Sequence, residues 1–236
     1  MKKVESIIER AEAKKAGTKR KAIAPRRWNN LVKSQDEQYQ LKRQAVIAES
    51  SRAFGHRGYQ NVSLDEIAKS LNVTKPALYH YFKSKQELLY ECHNLSMEIG
   101  DMALEEAMTT GKNGLEKLEK FVSIYIRDFA SELGASAVLH EYSGMTPKDR
   151  KQIMARRRQF DLRLRDLIQE GIDDKTIAEC NPKLAVFWFM GAITSIPRWY
   201  RLDGDLSGAD IAQTFVHFLV KGIQGQGLFD GGECST

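Results

Sequence analysis

The run KPALYHYFKSK, from Lys75 to Lys85, mixes cations, aromatic hydroxyls and small residues at a helical spacing. Leu78 and Phe82 stand i, i+4 and share the face that would be buried. Lys75, Ala77, Tyr79, His80 and Tyr81 then point outward or sideways. Donors beside small groups suit a polyanion, whose phosphates take the cations and whose groove edges take the donors. Residues 1–35 add eleven Lys or Arg against three Glu, with Arg26 and Arg27 nearest the folded part. Residues 36–90 are nearly balanced, and residues 91–236 carry seventeen basic against twenty-two acidic groups. The pI of about 9.0 therefore belongs to the front of the chain. A basic front with an acidic rear implies a polyanion met from one side, either nucleic acid or an anionic membrane surface.

Other chemistry finds little support in the residues. His93, His140 and His217 are isolated, and His140-Glu141 lacks the HExxH spacing of a zinc hydrolase. Cys92 and His93 are adjacent, so on a helix they diverge by about 100° and make a poor metal pair. Walker A, dinucleotide-binding and nucleophile-elbow patterns are missing. The reading is that the protein is not an enzyme and needs neither cofactor nor metal. Cys92, Cys180 and Cys234 are scattered and odd in number, which fits a reducing compartment rather than a disulfide framework. The longest apolar run, Leu184 to Ile193, is ten residues and too short for a bilayer. A soluble, cytoplasmic protein that does not enter the membrane is expected.

The donors need rigid supports, and the flanking sequence supplies them. Val46, Ile47, Ser50, Ala53 and Phe54 line one face of an amphipathic helix, and Gly58 fits the position just past its end. Ser63-Leu64-Asp65-Glu66 is a capping box opening a short helix with Leu64, Ile67, Ala68 and Leu71 inward. Asn72-Val73 makes a tight turn. Thr74 is expected to cap a third helix that runs to Phe82 and holds Pro76 in its first turn. Ser84 with Glu87 caps a long helix after it. Three helices with a short turn between the second and third form a helix-turn-helix arrangement. Beyond it, Asn113, Thr146-Pro147, Asn181-Pro182 and Ser207 each open a further helix. The chain reads as all-α.

Phe54, Gly58-Tyr59 and SLDEIAKSLNVTKPALYHYFKSKQELL, Ser63 to Leu89, closely resemble the DNA-binding domain of the TetR family of bacterial transcriptional regulators. Composition and charge read as a basic, flexible arm over 1–35 with a frayed helix around Val4 to Ala13, and a flexible tail over 227–236; between them the resemblance implies a helix-turn-helix domain over 36–85 and a helical ligand-binding and dimerisation domain over 86–226. It puts Lys75, Pro76 and Ala77 over base edges of double-stranded operator DNA. Tyr79, His80 and Lys85 would contact phosphates, and Ser63 and Thr74 would present helix N-termini to the backbone. Arg26 and Arg27 would follow the backbone or enter the minor groove, or belong to a solvated tail; Trp28 beside them could dock on the body.

In that family the last two helices form a homodimer, and the helical domain holds a small hydrophobic effector. Phe187, Trp188, Trp199, Arg198 and Tyr125 are the residues expected around it. The stretch from Arg198 to Leu206, with Arg157 to Gly171, resembles the branch that regulates lipid and sterol breakdown and responds to acyl-CoA thioesters. For the Arg156–Arg158 run, a solvated helix face remains the plainer alternative. The implied function is a repressor released from a palindromic operator by its effector. A broad multidrug sensor and a DNA-bound adaptor acting through a protein partner stay open at this point.

Overall fold

The computed structural model describes residues 34–130, 140–201 and 204–223. Arg26, Arg27, Trp28, the expected helix from Val4 to Ala13 and the 227–236 tail lie outside the described residues. Eight helices follow in order: α1 Gln35–Arg57, α2 Leu64–Ser70, α3 Lys75–Tyr79, α4 Lys85–Thr110, α5 Gly114–Phe129, α6 Pro147–Asp173, α7 Pro182–Trp199 and α8 Gly208–Ile223. The fold is all-α.

Local chemistry fixes most of the helix starts. Ser34 with Glu37 and Ser63 with Glu66 close reciprocal capping boxes at α1 and α2. Ser84, Asn113, Thr146 and Asn181 accept backbone N–H bonds at the starts of α4, α5, α6 and α7. Ser207 and Asp210 bond reciprocally at α8. Each such cap is worth about 1 kcal/mol. Thr74 is the exception: it occupies the cap position of α3, but its side chain accepts no backbone bond.

The helices form a small three-helix unit, α1 to α3, and a larger body, joined through α4. This last helix has 26 residues, roughly 40 Å at 1.5 Å per residue. Within the body α5 is central, touching α4, α6, α7 and α8. Its Leu118, Phe121, Val122, Tyr125 and Ile126 are all buried, at the spacing of one wide helix face. One continuous apolar core runs from Val46 and Phe54 in the small unit to Ile223 at the end of α8. The start of α5 crosses the end of α6 backbone to backbone, since a Cβ on Gly114 would stand 2.2 Å from the Gly171 Cα. Asp174 Oδ2 takes the Gly114 N–H at 2.7 Å and Thr176 Oγ1 that of Leu115 at 3.1 Å, satisfying two donors of that helix terminus.

Helix α7 departs from what its composition suggests. An almost wholly apolar helix is expected to be covered on several sides, yet only Val186, Phe189, Ile193 and Ile196 are buried. Leu184, Phe187, Trp188 and Trp199 stand on the open side, with 63%, 54%, 51% and 47% of their surface exposed. Phe218 of α8 is 62% exposed.

Candidate nucleic-acid interface

The small unit is built to hold α3 still. Phe54, Val62, Ile67, Ala68, Leu78 and Phe82 form its interior, so α3 is pinned by Leu78 and by the chain that follows it. Gly58 ends α1 with φ of 81°, and Asn72 takes φ of 54° in the turn between α2 and α3, a conformation that Asn tolerates well. Helix α3 is shorter than expected, ending at Tyr79 rather than Phe82. The N–H groups of Tyr81 and Phe82 both reach the Leu78 carbonyl, which tightens the chain and turns the Phe82 ring inward before Ser84 starts α4.

An open groove of about 520 Å³ runs along this unit and gathers Ser63, Lys75, Tyr79 and Lys85 from the expected set, together with Gln60, Asn61 and Lys83. Tyr79 is 49% exposed, and Pro76 and His80 are also exposed while Ala77 is half-buried. Lys75 reaches across to α2, its Nζ 2.7 Å from Asp65 Oδ2. That hydrogen bond and the Asp65 charge hold the ammonium above its ordinary value. A Lys75 that reads DNA must therefore exchange Asp65 for a base or phosphate. At the start of α2, the Ser63 hydrogen bonds keep Glu66 below the usual carboxylate range. His80 meets Tyr39 and Tyr81 edge-on, at 5.7 and 5.2 Å between ring centroids.

Lys85, expected on a phosphate, donates from its ammonium to the Tyr59 carbonyl at 2.5 Å and lies 4.1 Å over the Tyr59 ring in the chain alone. Burial pushes its pKa down. The exposed cation of the KSK turn is Lys83, which the burial pattern alone did not single out. Its signal was the short spacing to Phe82: with that ring inside, its neighbour faces out.

The five residues expected around an effector separate in space. Tyr125 is core, stacked on Phe121 at 5.2 Å and near Phe160 at 6.3 Å, with burial raising its hydroxyl pKa. Phe187, Trp188 and Trp199 stand at the surface of α7 instead of around an enclosed space, because the opposite face of that helix fills the core. Only Arg198 borders a described cavity, a crevice of about 310 Å³ between the small unit and the body, with His56, His140, Glu141 and Thr194. Arg156, from the arginine run, pairs with Asp101 at 2.9 Å, and Arg163 joins the same carboxylate at 3.0 Å.

Residues 46–92 match the family described as bacterial regulatory proteins, tetR family, and residues 111–223 match the tetracyclin repressor-like C-terminal domain. The chain belongs to the TetR family. The HTH-type transcriptional repressor KstR2 of Mycolicibacterium smegmatis is 24% identical over 79% of the chain and 93% of its own length. The Tn10 TetC protein of Escherichia coli is 33% identical, but the chain covers only 49% of it. Among solved structures, the TetR family regulator PfmR of Thermus thermophilus has a TM-score of 0.67 at 26% identity, covering 78% of this chain and 98% of that one. AibR, in a complex with isovaleryl coenzyme A and operator DNA, has 0.65 at 25%, covering 76% and 98%. This TetR-family chain is thus a DNA-binding transcriptional regulator and not an enzyme. Among the described residues no helix is long and apolar enough to cross a membrane, and no cluster of metal-ligating side chains is present.

Proposed function

We propose that this TetR-family regulator is a homodimeric repressor that reads a roughly palindromic operator and is released by a small acyl-CoA thioester. The observation that carries the reading is one chain with an exposed donor-bearing groove on its small unit and an open apolar helix face on its body. Two copies joined across the outer faces of α7 and α8 would cover Leu184, Phe187, Trp188 and Phe218 and present two α3 helices to successive major-groove faces. Gly191, around which a Cβ would meet nothing within 4 Å, lets a partner helix come close on that side. The effector class rests on the likeness to AibR and on Arg198, which has no ion-pair partner among the described residues and could take a phosphate.

Lys75→Ala is expected to weaken binding to the selected operator by roughly tenfold to a hundredfold, with the melting temperature hardly changed. Fluorescence anisotropy on the duplex reads the first quantity, and unchanged affinity would remove Lys75 from the interface. The effector is tested by titrating the protein–operator complex with isovaleryl-CoA, free isovalerate and a hydrophobic aromatic cation. Release by the thioester alone supports the proposal. Release by the cation alone would replace it with a multidrug sensor, and release by none of them would reject the effector class.

A further inference from the structure

The loop that leads into α6 grips the small unit through a carboxylate. Glu141 Oε2 accepts the Tyr59 backbone N–H at 3.0 Å, and its Oε1 accepts from the Ser143 N–H and hydroxyl at 2.9 and 2.6 Å. Tyr59 lies in the connection between α1 and α2 and is held on its other sides as well. Lys85 of α4 donates to its carbonyl, and Gly144 lies flat against its ring, where any Cβ would come within 2.2 Å. Phe54 backs the ring at 5.3 Å between centroids. Burial alone would raise the Glu141 pKa, but the bonds from Ser143 and Tyr59 outweigh it and keep the carboxylate charged at neutral pH.

The same loop is tied into the body. His93 of α4, fully buried, lies with Nε2 2.8 Å from the Glu141 carbonyl, while its Nδ1 faces Arg157 of α6 at 3.3 Å. A carbonyl can only accept and a guanidinium can only donate, so these partners fix the neutral, Nε2-protonated ring. Arg157 also donates to the Tyr142 hydroxyl, and the Tyr142 ring stacks on His93 at 5.3 Å. Glu141 thus has its backbone anchored on α4 and its side chain on the small unit, while its neighbour Tyr142 is tied to α6.

We infer that Glu141 is a positioning residue: its carboxylate sets the angle at which the body holds the helix-turn-helix unit, and so the spacing at which two such units can read DNA. This inference rests on the dimeric reading above. The contact is a charge-assisted bond to a backbone N–H and, among the described residues, the one hydrogen bond between this loop and the small unit, so truncation leaves the two joined there by packing alone. One base pair of extra spacing shifts a half-site by about 3.4 Å and turns it by about 34°. A rigidly held pair of units must therefore discriminate between spacings, and a loosened pair must not.

The test uses the full chain and the operator it selects, together with duplexes whose half-sites are moved apart or together by one and two base pairs. Wild type is expected to prefer its own spacing by tenfold or more, Glu141→Ala by threefold or less. Glu141→Gln, which keeps an acceptor oxygen at the same reach, should retain most of the preference. Glu141→Asp, charged but one methylene too short, should lose it, which keeps the test open if the Ala variant folds poorly. A purely structural role would lower affinity for every spacing alike. Wild-type ratios in both the Ala and Asp variants would overturn the inference. A wild-type chain that selects no duplex would overturn the regulator reading and this inference with it.

Discussion

Between pH 6.5 and 4.5 the folded protein is expected to lose about 2 kcal/mol of stability through His93 alone. Burial, with the Arg157 guanidinium beside the ring, pushes the His93 pKa from the ordinary 6.5 down to about 4. The unfolded chain therefore takes up a proton on this ring at a pH where the folded chain does not. Its contribution to stability is complete above about 6.5 and is lost as pH falls toward 4. Protonation would also set a cation against Arg157 and remove the acceptor at Nδ1. His140 is shifted in the same direction, by partial burial and by the charges of Arg198 and Arg157, so it acts with the same sign. His93→Gln can donate to the Glu141 carbonyl and accept from Arg157 without titrating. Urea midpoints at fixed protein concentration should fall steeply with acid in the wild type and far less in this variant. Equal slopes would show that His93 is not held neutral.

The second large effect concerns the open face of α7 and α8. Phe187→Asp combined with Phe218→Asp is expected to convert a dimer into monomers at micromolar concentration. Each ring covered at an interface contributes roughly 1.5–3 kcal/mol, and a carboxylate in its place costs several kcal/mol more. Both side chains are already more than half exposed in the single chain, so the fold itself should tolerate the change. Operator affinity should fall at least about a hundredfold, because the second half-site no longer binds at a high effective concentration. Sedimentation velocity reads the mass directly. A double variant that stays dimeric would place the interface elsewhere.

The features legible in the sequence were those decided within a few residues. Ser63 with Glu66, Ser84 with Glu87 and Asn181 before Pro182 announce helix starts because the capping oxygen and its donor are at most three positions apart. Leu78 and Phe82 were recognisable as interior because one helical repeat separates them. What escaped depended on partners far along the chain. The inward turn of Lys85 is set by Tyr59, 26 positions away, and the bond between Tyr59 and Glu141 spans 82. Nothing in the local pattern of either residue reports the other. The aromatic content of α7 was visible, but composition does not say which face the core takes. Val186, Phe189 and Ile193 took it, leaving Phe187 and Trp188 outside. Helix α3 ended early for a similar reason, since burying Phe82 and starting α4 at Ser84 leave no room for another turn.

Selection of duplexes from a random library by the purified chain, at about physiological salt, decides whether two copies read one operator. The expected result is enrichment of an inverted repeat whose half-sites are centred about one helical turn apart, or a multiple of it, bound by two chains. Enrichment of no sequence, or of a single unrepeated element bound by one chain, would contradict the dimeric reading.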